Sequence, residues 1–170
     1  MGDEEAFLSL YGRRRESVFR FSFHMSGSRE IAEEVTQEVF LALLANHSIY
    51  KEERGTLEGF LIGMARNQVR GQLRSLSRLD PVSSAAMLQF SVEECGLDDE
   101  LRALRQAILT LPENYRAVIA LCELDEVSYA EAAKRLGCAV GTVRSRLHRA
   151  RAILEEKLRR RRLCPTATAR

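Results

Sequence analysis

The segment SYAEAAKRLGCAVGTVRSRLHRARAIL, residues 128–154, constrains the fold more tightly than any other part of the chain. Ser128 with Glu131 has the form of a capping box, in which the two side chains satisfy orphan amides at a helix start. A short helix is predicted from Tyr129 to Leu136, followed by Gly137-Cys138-Ala139. Glycine adopts the positive φ that a tight helix end needs. A second helix is predicted to begin near Val140–Thr142. Helix, glycine turn and helix form the helix-turn-helix plan, whose second helix can enter a major groove of DNA.

That second helix sorts by face. Val143, Leu147, Ala150 and Leu154 recur at i, i+4, i+7 and i+11 and are expected to be buried. Arg144, Ser145, Arg146, His148, Arg149 and Arg151 fill the rest of the surface. Guanidinium groups bind guanine edges bidentately and also clamp phosphates. Arg144 and Arg146 diverge by roughly 200° around the helix and cannot read one base edge. Arg146 with Arg149, or Ser145 with Arg149, can face one groove. At least one of the three arginines is therefore expected to hold a phosphate and at least one to read bases. Thr142 lies at the helix start, where free amides and a hydroxyl suit a phosphate. Nothing around His148 points to a metal or to acid–base chemistry.

Charge supports a nucleic-acid partner for this part of the chain. The formal net charge is only +2, but it is unevenly placed. Residues 1–75 carry net −1, residues 76–100 net −5 and residues 101–170 net +8. A basic carboxyl-terminal third behind an acidic connector suits a polyanion. Arg159–Arg162 supply four of those charges and would serve equally as a solubilising tail.

The remainder reads as helix, so the expected class is all-α. A first helix starting near Glu4 places Phe7, Leu8, Tyr11, Val18 and Phe19 on an apolar stripe. Gly27-Ser28 breaks it, and Ser28 is a suitable N-cap for a second helix. There Ile31, Val35, Val39 and Leu43 share a face that Ala32, Phe40 and Leu44 widen, while Glu33, Glu34, Gln37 and Glu38 lie elsewhere. After the polar residues 51–56, a third helix spaces Leu57, Phe60, Leu61, Met64, Ala65 and Val69 for burial and leaves Arg66, Asn67, Arg70 and Arg74 polar. Ser75 to Gly96 reads as a linker, with room for a short helix at Ala85–Gln89. Helical pattern resumes at Leu97, and Pro112 ends that helix or opens the next.

No apolar run approaches the roughly 20 residues that span a bilayer, and the first 15 residues hold no apolar signal core, so a cytoplasmic protein is expected. Cys95, Cys122, Cys138 and Cys164 have no zinc-site or disulfide-framework spacing and read as reduced thiols. No catalytic triad, metal cluster or phosphate loop is found, so neither an enzyme nor a cofactor is expected.

The stretch Leu109 to Leu158 resembles region 4 of sigma-70-family transcription initiation factors, especially the extracytoplasmic-function (ECF) group, through its LPExxR opening and GTVRSRLHRAR close. Independently, REIAEEVTQEVFLAL and RGTLEGFLIGMARNQVRGQLR resemble the acidic helix and the strand-opening segment of region 2. The resemblance covers roughly Phe7–Arg74 and Leu97–Leu158 and leaves no room for region 1.1 or region 3, which points to the ECF group. Phe60 stands where the family usually has Trp.

The resemblance implies two small helical domains joined by a flexible acidic linker: region 2 at 1–75, linker at 76–96, region 4 at 97–160 and a basic tail at 161–170. It implies binding to core RNA polymerase, through the β′ clamp helices and the β flap, and promoter-directed initiation without a chemical step of its own. Glu34, Gln37 and Glu38 would meet the clamp helices, although a merely solvated face reads equally well. Lys51, Arg54, Arg66, Asn67 and Arg70 would serve the −10 element and its opening. Thr142, Arg144, Ser145, Arg146, His148 and Arg149 would contact the −35 element. The acidic linker either threads toward the polymerase cleft or simply tethers the domains. An anti-sigma protein is a further partner that the family implies. The competing readings are an operator-binding regulator and an enzyme of nucleic-acid metabolism.

Overall fold

The computed structural model describes residues 2–46, 50–79 and 99–163. Seven α-helices follow in order among these residues: α1 Gly2–Ser26, α2 Arg29–Ala45, α3 Leu57–Leu79, α4 Asp99–Leu109, α5 Glu113–Ile119, α6 Tyr129–Leu136 and α7 Val140–Leu163. A 3-10 turn at Glu52–Arg54 precedes α3, and no strand occurs among the described residues. Among the described residues, no helix is long and apolar enough to cross a membrane.

Helix α1 runs from Gly2 to Ser26, and Gly27 after it, at φ +73°, stops it. Ser28 caps α2 by accepting a hydrogen bond from the Ile31 amide at 3.2 Å. Ile31, Val35, Val39 and Leu43 turn one face of α2 onto Val18, Phe21 and Met25 of α1 and Leu61, Ile62, Ala65 and Val69 of α3. Burying each such side chain contributes about 1.5–3 kcal/mol. Two expectations fail: Leu8 and Leu44, read as core, are 61% and 45% exposed. Helix α3 also runs past the expected linker boundary at 75, to Leu79. The rest of the linker reading, including the helix at Ala85–Gln89, lies outside the described residues, as do Cys95 and Cys164.

In the carboxyl-terminal half, Pro112 is the N-cap residue of α5. That helix widens into a π-turn over Ala120–Leu124, where the Asp125 amide reaches the Ala120 carbonyl at 2.9 Å. Helix α6 spans the expected residues, with Ser128 accepting from the Glu131 amide. Only half of the capping box forms, because the Glu131 carboxylate turns to Arg135 at 3.3 Å instead. Gly137 at φ +61° carries the left-handed turn, and Cys138 N–H bonds the Ala133 carbonyl, a Schellman-type end. Val143, Leu147, Ala150 and Leu154 bury the expected seam of α7. Cys122 and Cys138 are free thiols, and burial, then Glu123, pushes the Cys122 thiol up.

The two halves pack against each other through α1, α3, α5 and α6. Gly27 sits so close to Leu109 that a Cβ there would lie 2.5 Å from its Cδ1. A Cβ on Gly59 would meet the Lys134 carbonyl at 3.1 Å. Both glycines therefore set the approach of the halves. Polar contacts complete the seam: Arg116 donates to the Met25 carbonyl at 2.5 Å and to the carbonyls of Leu109 and Leu111. Glu58 receives Arg14 and Arg135, each at 2.8 Å. The π-turn points Asp125 at α1, with its side chain 3% exposed and Oδ1 3.0 Å from Arg20 Nε. That contact is an ion pair lacking hydrogen-bond alignment.

His24, 3.9 Å from Asp125, is depressed from 6.5 to about 4 by burial, with Arg20 and Arg105 adding to the shift. As pH falls below the ordinary histidine value, the unfolded chain takes up a proton that folded His24 refuses until about 4, so stability is lost across that window. Asp125 acts in the opposite sense, since burial raises its carboxyl despite Arg20 and Arg135, but only near the carboxylate range. The expected result is a loss of about 1 kcal/mol of unfolding free energy between pH 7 and about pH 5, after allowance for solvent screening. Urea unfolding across that range checks it. The loss should shrink in His24→Gln, and an unchanged pH slope in that variant would contradict the assignment.

Candidate nucleic-acid interface

Helix α7 presents its cations on the face opposite its buried seam. At about 100° per residue, Ser145 and His148 lie near the centre of the open face, with Arg144 and Arg149 on either flank. All four are exposed. Arg146 is half-buried and lies toward the border with the seam, near Thr142, which is also half-buried. The Thr142 amide is taken by the Ala139 carbonyl at 2.9 Å, so only its hydroxyl remains to meet a phosphate. Among the described residues, Arg144, Arg146, His148 and Arg149 form no ion pair or hydrogen bond. By contrast, Arg151 is tied to Glu123 at 2.6 Å. The arrangement offers a cationic ridge with short polar side chains at its crest, which fits a groove lined by phosphates.

The second cluster surrounds the start of α3. The Tyr50 hydroxyl donates to the Gly55 carbonyl at 3.1 Å and pins the polar loop, while Thr56 Oγ1 accepts from the Gly59 amide at 3.1 Å. Lys51 on that loop is exposed; the side chain of Arg54 lies outside the described residues. Phe60 is half-buried, with its ring 5.6 Å from that of Tyr50, and packs on the core. Asn67 is exposed. Arg66 and Arg70 are not free: both bond Glu113 of α5, Arg66 through Nε at 2.5 Å and Arg70 through Nη2 at 2.6 Å. The −10 candidates thus divide into an exposed pair, Lys51 and Asn67, and a pair held by the other half of the chain.

The third cluster is the outer face of α2. Glu34 and Gln37 are exposed and Glu38 half-buried. Leu41 and Leu44, at 54% and 45% exposure, continue the same stripe. Leu44 was missed because an apolar residue at helical spacing reads as core, and Leu41 carried no reading of its own. Apolar side chains beside acidic groups give this face mixed chemistry. Among the described residues there is no group of His, Cys, Asp and Glu able to hold a metal ion.

The chain matches the family Sigma-70 region 2 over residues 10–79 and the family Sigma-70, region 4 over residues 101–154. It is 32% identical over 167 residues to the ECF RNA polymerase sigma factor SigE of Mycolicibacterium smegmatis, covering 92% of this chain and 64% of that protein. It is 31% identical over 170 residues to the ECF RNA polymerase sigma-E factor of Escherichia coli K12, covering 92% and 88% of the two chains. The solved sigma factor RpoE of Bartonella quintana, in complex with the anti-sigma factor NepR, shares the fold with a TM-score of 0.66 at 24% identity over 91% of this chain and 98% of that one. The matched regions, the helix-turn-helix and the similarity along nearly the whole chain place it in the sigma-70 family, among the ECF sigma factors.

Proposed function

We propose that this chain is a promoter-specificity factor that works in the cytoplasm: held on core RNA polymerase, it reads a −35 box with α7 and a −10 box with the 51–56 loop and α3, and assists strand opening. It performs no chemical step of its own. The observation that carries the reading is the row of unpaired cations on α7 above a fully buried apolar seam, in a chain whose other half presents a separate acidic and leucine-bearing face. One surface for DNA and another for a protein suit a factor that bridges the two. The α2 face, with Glu34, Gln37 and Glu38, would dock on the β′ clamp helices, and region 4 would reach the β flap. Relatives of this fold are solved with the anti-sigma factor NepR and with the cytosolic domain of CnrY, which supports an anti-sigma partner here.

Purified chain added to core polymerase on a promoter duplex tests the reading. Permanganate should detect thymines opened near −10 only when both proteins are present. Asn67→Ala should reduce that opening by about tenfold while closed-complex formation falls less, because an exposed amide suits an extruded base better than a phosphate. Equal losses in both would make Asn67 a phosphate contact alone, and no opening at all would remove the proposed function.

A further inference from the structure

A cleft of about 410 Å³ beside the corner between α4 and α5 is lined by Arg66, Arg70, Arg74, Arg78 and Arg116, with Glu113 as its one carboxylate among the described residues. Arg66, Arg70, Arg74 and Arg78 recur every four residues along α3. That spacing sets four guanidinium groups in a row, about 6 Å apart along the helix. Such a row is a track for a polyanionic strand and far exceeds what one carboxylate needs. Glu113 sits at its amino-terminal end. Its Oε1 accepts from Arg66 and Arg70, and its Oε2 accepts from Arg70 Nε at 2.7 Å. Asn114 Oδ1 accepts from Arg66 Nη2 at 2.6 Å, so Arg66 is held twice. Two oxygens on one carbon, gripped by guanidinium forks, reproduce how arginine holds a phosphodiester. Arg74 and Arg78 are exposed and form no ion pair among the described residues.

We propose that Glu113 stands in for a DNA phosphate on a polyanion site formed by Arg66, Arg70, Arg74 and Arg78, so that the carboxyl-terminal half and the promoter strand compete for α3. This rests on the promoter-factor reading and deepens it by adding Arg74 and Arg78 to the strand-binding row and giving Glu113 a masking role. Burial pushes the Glu113 carboxyl up, but hydrogen bonds from Arg70 and Arg66 outweigh it and hold the group below its ordinary range, so it stays ionised as a phosphate does. Within its own helix Glu113 is a first-turn acid, a position that stabilises α5. Its three bonds to arginines more than 40 residues away put it at the seam as well.

The test is fluorescence anisotropy of a labelled single strand of about 15 nucleotides and mixed sequence, titrated with the full chain at several salt concentrations. Glu113→Gln removes the competing charge and should bind about three- to tenfold tighter, with a salt slope steeper by about one unit, because an additional phosphate is contacted. Arg74→Ala with Arg78→Ala should lower the slope by about one unit in both backgrounds. Circular dichroism melting confirms that each variant is folded. Should Glu113→Gln be unfolded at the working temperature, Asn114→Ala, an exposed change that loosens Arg66 alone, must give a smaller gain of the same sign. Unchanged or weaker binding in the folded release variant overturns the proposal. Polymerase-dependent opening measured on the same preparations separates the two readings. Opening with no gain from Glu113→Gln sinks this inference alone, whereas a gain without opening leaves the site standing and removes the promoter-factor role.

Discussion

Replacing Arg144 and Arg149 together by alanine is expected to weaken binding to a −35 duplex by about 2–6 kcal/mol, roughly 30-fold to 10⁴-fold, because each base-reading or phosphate-holding guanidinium contributes about 1–3 kcal/mol. Both side chains are exposed on the flanks of the α7 crest, so their truncation leaves the seam of Val143, Leu147, Ala150 and Leu154 untouched. Fold stability should therefore be retained while affinity is lost. The single variants distinguish the roles. A base reader lost should relax preference at one position, whereas a clamp lost should weaken all sequences alike and lower the salt slope by about one unit. Arg146→Ala should be the mildest of the three, since Arg146 is half-buried at the border of the seam. Binding to a randomised duplex library at several salt concentrations measures all of this. An Arg146 loss as large as the others would mean that α7 docks on a different face.

The second large effect is expected on α2. Glu34→Lys with Glu38→Lys and Leu41→Ala should lower affinity for core polymerase by at least about 2 kcal/mol, roughly 30-fold, since exposed side chains at the centre of an interface contribute the most. The charge part should fade as salt rises, whereas the leucine part should persist, because screening acts on exposed charges and not on apolar burial. Duplex binding through α7 should be unaffected. A triple variant that still co-purifies with core at wild-type stoichiometry and affinity would remove this face from the interface.

What was legible in the sequence was whatever is written at short range. In the α6–α7 hairpin, α6 was readable to the residue and the start of α7 to within two, because a serine cap, a left-handed glycine and a 3.6-residue apolar repeat are all local. The seam between the halves left no such trace. Glu58 and Glu113 each look like an ordinary first-turn acid, yet one is bonded to Arg14 and Arg135 and the other to Arg66 and Arg70, over 40 residues distant. The π-turn that aims Asp125 at Arg20 and His24, and the positive φ of 54° at Glu126 beside it, have no compositional signature. Helical periodicity also misled at Leu44, which was read as widening the apolar face of α2 but is 45% exposed. The Arg66 and Arg70 pair was found as cationic chemistry, but what currently holds it was not.

The central claim is that one chain brings two DNA-reading surfaces to one polymerase. Mapping RNA 5′ ends made by core polymerase plus the purified chain on a randomised promoter library tests it most directly. The account predicts starts confined to templates sharing two short conserved boxes at a fixed separation. It further predicts that Arg144→Ala with Arg149→Ala erases the upstream box and Asn67→Ala weakens the downstream one. Starts that need no added chain, or templates selected for binding by the chain that never yield RNA, would contradict it.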